Sequence, residues 1–147
     1  MTRGSRICGA VALSVILVCF CWLNNASAQD AGGHPENFVR VYYFHTNFRC
    51  VNCHNMEKWT KKTVETDFKN ELVSGKLDYQ VVNIETKGNE HFTQDYQLYT
   101  KSVVLSLVRG GKEVKFENLT RVWEYLRSER KFCEYIKENI EKYLKEL

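Results

Sequence analysis

Phe38-Val39-Arg40-Val41-Tyr42-Tyr43-Phe44-His45, followed by Cys50-Val51-Asn52-Cys53, is the stretch whose reading decides the fold. The first run is apolar at odd and even positions alike, as a central strand covered on both faces requires. After the cysteines, Met56, Trp59/Thr60, Val64, Phe68 and Leu72 recur at three- and four-residue spacing with lysines and glutamates between them. That spacing predicts one amphipathic helix from about Cys50 to Leu72, ended by Ser74-Gly75. Two cysteines three apart at a strand-to-helix junction are placed to act as a dithiol/disulfide pair. His54 turns the string into CxxCH, which is also the attachment signature of c-type haem.

Working outward, Leu77–Glu85 alternates as a second strand, and strand, helix and strand in this order predict a parallel βαβ unit with a right-handed crossover. Asn89 is expected to cap a short helix carrying Phe92 and Tyr96 on one face. Val103–Val108 reads as a third strand, and Gly110-Gly111 as a hairpin turn. Lys112–Phe116 follows as an edge strand, its lysines discouraging further pairing. Asn118–Leu126 is expected to be helical, with Val122, Trp123 and Leu126 inward. A last helix starts at Ser128-Glu129 and buries Phe132, Ile136, Ile140, Tyr143/Leu144 and Leu147. The expected order is β-α-β-α-β-β-α, an α/β three-layer sandwich around a mixed four-stranded sheet.

The chain has 147 residues, enough for one domain. Arg3 and Arg6 precede an apolar stretch, Ile7 to Leu23, and Ala26-Ser27-Ala28 fits a secretory cleavage site. Residues 1–28 therefore read as a signal peptide, with an uncleaved membrane anchor as the alternative. Residues 29–37 read as a flexible lead-in and 38–147 as the domain. The expected mature protein is exported, periplasmic or secreted. Without Arg3 and Arg6, 19 basic residues face 18 acidic ones, so the formal charge falls from +3 to +1. That balance offers no electrostatic case for nucleic acid. Only Cys50, Cys53 and Cys133 of the six cysteines remain, too few for a disulfide framework and suited to one redox pair plus a leftover.

Over residues 38–147 the chain resembles the thioredoxin superfamily, with Cys50-Val51-Asn52-Cys53 at the CxxC position and Val103–Phe116 as the closing hairpin. More narrowly, FHTNFRCVNCHNME and YTKSVVLSLVRGGKE look like exported bacterial thioredoxin-like proteins of the ArsF, or nitrophenyl-compound nitroreductase subunit, type. That resemblance implies electron delivery for reduction of a nitroaromatic or arsenical compound, with a redox partner protein or a membrane electron donor. No cofactor is expected. The chain departs from the superfamily pattern twice. Ser102 stands where a cis-proline usually begins the third strand, and Phe44 stands six residues before the first cysteine, where many thioredoxins carry a buried carboxylate.

Disulfide exchange needs a thiolate, and a helix N-terminus with neighbouring cations favours one. Cys50 is the expected nucleophile and Cys53 the resolving thiol, with Arg49 and His54 as cations near the pair and Ser102 facing it. Other readings remain beside this one: a structural disulfide, a metal held by both cysteines and a histidine, or a haem with His54 as axial ligand and His91 or His45 as the second. A redox-inactive accessory subunit on the same fold is a further alternative. Cys133 reads as a small core residue and Trp59 and Trp123 as core, while His45 either lines the site or caps strand one.

Overall fold

A computed structural model describes residues 34–147; the expected signal peptide, 1–28, lies outside the described residues. The chain forms strand β1 (Phe38–His45), helices α1 (Val51–Asp67) and α2 (Lys69–Val73), strand β2 (Leu77–Asn83), and the single-turn helix α3 (Phe92–Asp95). It continues with strands β3 (Ser102–Arg109) and β4 (Lys112–Asn118), a 3-10 turn (Thr120–Trp123), and helix α4 (Glu129–Leu144).

The sheet order is β2-β1-β3-β4, with β1 and β2 parallel and the other pairs antiparallel. This is the expected α/β thioredoxin-like arrangement. The two central strands are the apolar ones: nearly every residue of β1 and β3 is buried, whichever face it points to. Odd positions of β1 (Val39, Val41, Tyr43) and of β3 (Val103, Leu105, Leu107) meet Met56, Trp59 and Val64 of α1 and Phe132, Ile136, Ile140 and Tyr143 of α4. Even positions Tyr42, Phe44 and Val104 meet Tyr96 and Leu98, with Phe92 of α3 packed against them. The layers are therefore unequal, two long helices on one face and one short turn on the other.

Several local expectations are corrected. The helix after the cysteines breaks at Phe68, whose φ of −126° and ψ of 30° leave the helical region while its ring stays in the core. Strand β2 ends two residues early because Asn83 turns its side chain onto Asn47 and onto the Glu85 amide. Asn89 does not cap α3; it donates to the Asn83 carbonyl instead, and α3 has no side-chain cap. Residues 118–126 do not form an α-helix. The Leu119 amide is held by the Val103 carbonyl at 2.8 Å, and the fully buried Leu119 and Val122 are three apart, the period of a 3-10 turn. Trp123 is consequently not core but 37 % exposed, and Leu147 lies beyond α4 with similar exposure.

Gly110 and Gly111 both adopt positive φ (58° and 72°), the conformation a two-residue hairpin turn demands. The register shift at Leu107/Val108, opposite Lys115 and Glu113, leaves Val114 as the extra residue of a bulge in the edge strand. The second half of the lead-in is packed on the domain rather than free. Glu36 accepts from the Gly111 amide, Asn37 accepts from the Gly110 amide, and His34 stacks on Phe38 at 4.7 Å.

Candidate functional site

Cys50 is the N-cap of α1. Its backbone is extended (φ −89°, ψ 171°), and its sulfur accepts a hydrogen bond from the Cys53 amide at 3.3 Å. A helix start leaves its first amides unpaired, and here a thiol sulfur takes the place usually held by a hydroxyl or carboxylate oxygen. The loop leading to it is pinned to the end of β2 and the turn after it: Asn83 Nδ2 donates to Asn47 Oδ1 at 2.7 Å, and the Asn47 amide donates to Glu85 Oε2 at 2.7 Å. Thr46 adds a bond to the Phe48 carbonyl.

The two thiols differ as chemistry would require of an attacking and a resolving pair. Cys50 is partly exposed and Cys53 is buried, at 1 % exposure. The Cys53 thiol, and after it the Cys53 amide, bond to the Cys50 sulfur and hold it below the ordinary thiol value. Burial first, and then the hydrogen bond with Cys50, push the Cys53 thiol up, while the Lys101 ammonium opposes that rise. Both thiols are free, so this is the dithiol form. The lowered thiol at Cys50 and the raised one at Cys53 favour the outer sulfur as the nucleophile.

The other expected site residues are placed as follows. Arg49 forms an ion pair with Glu57, its guanidinium 5.8 Å over the Tyr43 ring, and the groups that lower the Cys50 thiol are the Cys53 side chain and then backbone amides, the Cys53 amide first. His54 is exposed on the first turn of α1, and its amide donates to the Cys50 carbonyl. Ser102 is buried at the start of β3, and its hydroxyl donates to the Thr100 carbonyl at 2.9 Å. His45 bonds through Nδ1 to the Thr46 carbonyl at 2.9 Å, at the end of β1.

Phe44 does not lie beneath the cysteines. It packs on the opposite sheet face, against Tyr42, Phe92 and Tyr96. The residue on the cysteine side is Tyr43, whose hydroxyl donates to the Cys53 carbonyl at 2.7 Å. Counting back six residues selects the wrong face, because adjacent strand residues point to opposite sides.

Sequence reasoning also missed Lys101. It directly precedes β3, its ammonium lies 5.9 Å from the Phe48 ring centroid, and it acts on Cys53. The available signal was its place beside Ser102, at the strand end already assigned to the site.

Among the described residues no group of three or more His, Cys, Asp or Glu is placed to hold a metal ion, and no helix is long and apolar enough to cross a membrane. A haem thioether at Cys53 would require α1 to lift from the sheet, since that side chain is enclosed. Cys133 is partly buried at the core margin, its thiol 3.9 Å from the Trp59 carbonyl, and Trp59 packs edge-on against Phe132 at 5.4 Å.

A mixed sheet in the order β2-β1-β3-β4, with a CxxC pair capping the helix that follows β1, defines a thioredoxin-like domain. No family model matches the chain, and no curated protein matches it. Among solved structures it is similar to Fasciola hepatica thioredoxin, at 18 % identity over 61 % of this chain and 79 % of that one, with a TM-score of 0.38.

Proposed function

We propose that this is a thiol–disulfide oxidoreductase that uses Cys50 and Cys53. The observation that carries the reading is the hydrogen bond of 3.3 Å from the Cys53 amide to the Cys50 sulfur, at the capped start of a helix, with one thiol accessible and the other enclosed.

The Cys50 thiolate attacks one sulfur of a substrate disulfide, forming a mixed disulfide and releasing the first substrate thiolate, which takes up a proton. Cys53 then loses its proton and attacks the Cys50 sulfur. The Cys50–Cys53 disulfide forms and the second substrate thiol leaves. The substrate gains two electrons and two protons, and the pair is oxidised. A redox partner protein or membrane electron donor returns the pair to the dithiol.

The finer reading is an exported bacterial protein that delivers electrons for reduction of a nitroaromatic or arsenical compound. Its support is the signal-like pattern of residues 1–28 and the resemblance of the two segments around Cys50 and β3.

Thiol alkylation followed by mass spectrometry, before and after mild reductant, tests the exchange reading. Cys50 and Cys53 should protect and deprotect together, and insulin reduction should vanish in Cys50→Ser. Two thiols that alkylate independently under oxidising conditions would falsify it.

A further inference from the structure

The sheet face opposite α1 and α4 is covered over only part of its width. The short helix α3 closes the end near Phe44, and toward Phe38 the face opens into a cavity of about 370 Å³. Its apolar wall is Phe38, Tyr42, Tyr96 and Val108, each more than nine-tenths buried. Arg40, Ser106 and Glu113 are its polar groups. An apolar wall of this size with a few convergent polar groups is the usual make-up of a small-molecule site.

Glu113 reaches the cavity because β4 is bulged. Strand alternation places Phe116, which meets Tyr96 edge-on at 5.0 Å, on this face. It places Lys115, whose ammonium stands 4.6 Å from the Tyr143 ring centroid, on the α4 face. Continued unbroken, the alternation would turn Val114 inward here and Glu113 toward α4. The extra residue reverses this: Glu113 pairs with Val108 and takes the inward place, and Val114 is left 54 % exposed. Bulges are over-represented beside active sites, where they re-aim a side chain. This one exchanges a valine for a carboxylate against an aromatic wall.

The carboxylate is held through one oxygen. The Tyr96 hydroxyl donates to Glu113 Oε2 at 2.6 Å, and the buried Ser106 hydroxyl donates to the same atom. Burial first, and then the bond to Glu113, push the Tyr96 phenol up, so it stays a donor. Among the described residues nothing bonds to Oε1.

Arg40, the cation of the lining, is engaged elsewhere. Its Nε donates to Asp78 at 2.6 Å and its Nη1 to the Tyr42 hydroxyl at 3.3 Å. Its guanidinium lies over the Phe38 and Tyr42 rings, at 5.0 and 5.7 Å. Asp78 neutralises Arg40, which leaves the Glu113 charge without a counter-ion in the cavity. An ammonium supplies that charge together with donors for Oε1. A second cation would meet the Arg40 guanidinium, so the fit is to a single ammonium.

We propose that this cavity is a binding site for a small primary monoamine, its ammonium on Glu113 and its apolar body against Tyr96 and Val108. The site lies across the sheet from the cysteine helix and is independent of disulfide exchange.

Three ligands of one skeleton test it by calorimetry in phosphate buffer: 2-phenylethylamine, 2-phenylethanol and phenylacetate. The amine should bind at least about tenfold tighter than the alcohol, the discrimination a charged hydrogen bond supplies, and phenylacetate should bind weakest. Amide shifts in the labelled protein should centre on Ser106, Val108, Gly111 and Glu113. Glu113→Gln, which still accepts from Tyr96 and Ser106, should bring the amine down to the level of the alcohol. Arg40→Gln should tighten the amine, and Cys50→Ser should leave it unchanged.

No saturable amine binding, equal affinity for amine and alcohol, or shifts centred elsewhere would overturn the site. So would phenylacetate binding best and being lost in Arg40→Gln, which would make the cavity an anion site. If Glu113→Gln fails to fold, the ligand series and the shift map on the unchanged protein decide the matter alone.

Discussion

The hydroxyl of Tyr43 donates to the carbonyl oxygen of Cys53 at 2.7 Å, joining the middle of the sheet to the second cysteine of the pair. Burial pushes the Tyr43 phenol up to about 12, so it remains a protonated donor throughout the range in which Cys50 ionises. The bond thus fixes the start of α1 in a way that does not change as the nucleophile titrates. Tyr43→Phe removes this one hydroxyl and should destabilise the fold by about 1 kcal/mol. In thermal unfolding that corresponds to a fall of roughly 4 °C. A melting temperature equal to that of the parent would show that the bond contributes nothing to stability.

The pH dependence of alkylation should differ between the two thiols of the pair. The Cys50 thiol is held below its ordinary value, and thiolate increases as pH rises. Its reaction with iodoacetamide should therefore reach its plateau at a lower pH than a free thiol does, while Cys53 is modified later. In Cys53→Ala the thiol donor, the largest of the stabilising contacts, is lost and only backbone amides remain, so the Cys50 profile should move to higher pH. Peptide mapping after a short alkylation pulse reads both effects.

Lys101→Gln addresses the resolving step. The Lys101 charge favours the Cys53 thiolate, so its removal leaves less thiolate at any given pH. The first attack by Cys50 should keep its rate, and the second should slow, with mixed disulfide accumulating in rapid-quench samples. Equal slowing of both steps would place Lys101 in general upkeep of the site instead.

Gly75, at the turn between α2 and β2, has a φ of +75°, and a Cβ there would stand 2.7 Å from Pro35 Cδ. Gly75→Ala therefore combines a left-handed backbone with a clash against a rigid ring. It should destabilise the domain by roughly 1–2 kcal/mol, measured as a lower urea midpoint. Gly88→Ala, at φ +97° with open space around it, carries the backbone strain alone and serves as the comparison.

The sequence was most legible where local chemistry and burial agree. β1 needed only its two-faced apolar run, α4 its Ser128 cap and four-residue stripe, and the β3–β4 hairpin its glycine pair. It was least legible where distant partners decide. Asn83 ends β2 because Asn47 lies opposite, and the segment after β4 follows a 3-10 period because Val103 captures the Leu119 amide. Within the site, the cysteine pair and its asymmetry follow from the helix start. Arg49 was assigned by adjacency, yet Glu57, one helical turn or more further along, takes its charge. Tyr43 and Lys101 were hidden because strand facing and the return of β3 past α1 bring them in, and neither leaves a local signature.

Cys50 is at once the cap of α1 and the exposed thiol of the pair, and the two roles compete for one sulfur. As a thiolate it is a good acceptor for the Cys53 amide; once bonded to a second sulfur it is a poor one. Oxidation therefore uncaps the helix, and reduction restores the cap. A cap contributes about 1 kcal/mol, and whatever stabilises the reduced form makes the couple more oxidising, by roughly 20 mV for that amount. The first turn of α1 thus senses the electron count of the pair, and the Cys53 amide is the proton whose exchange with solvent should report it.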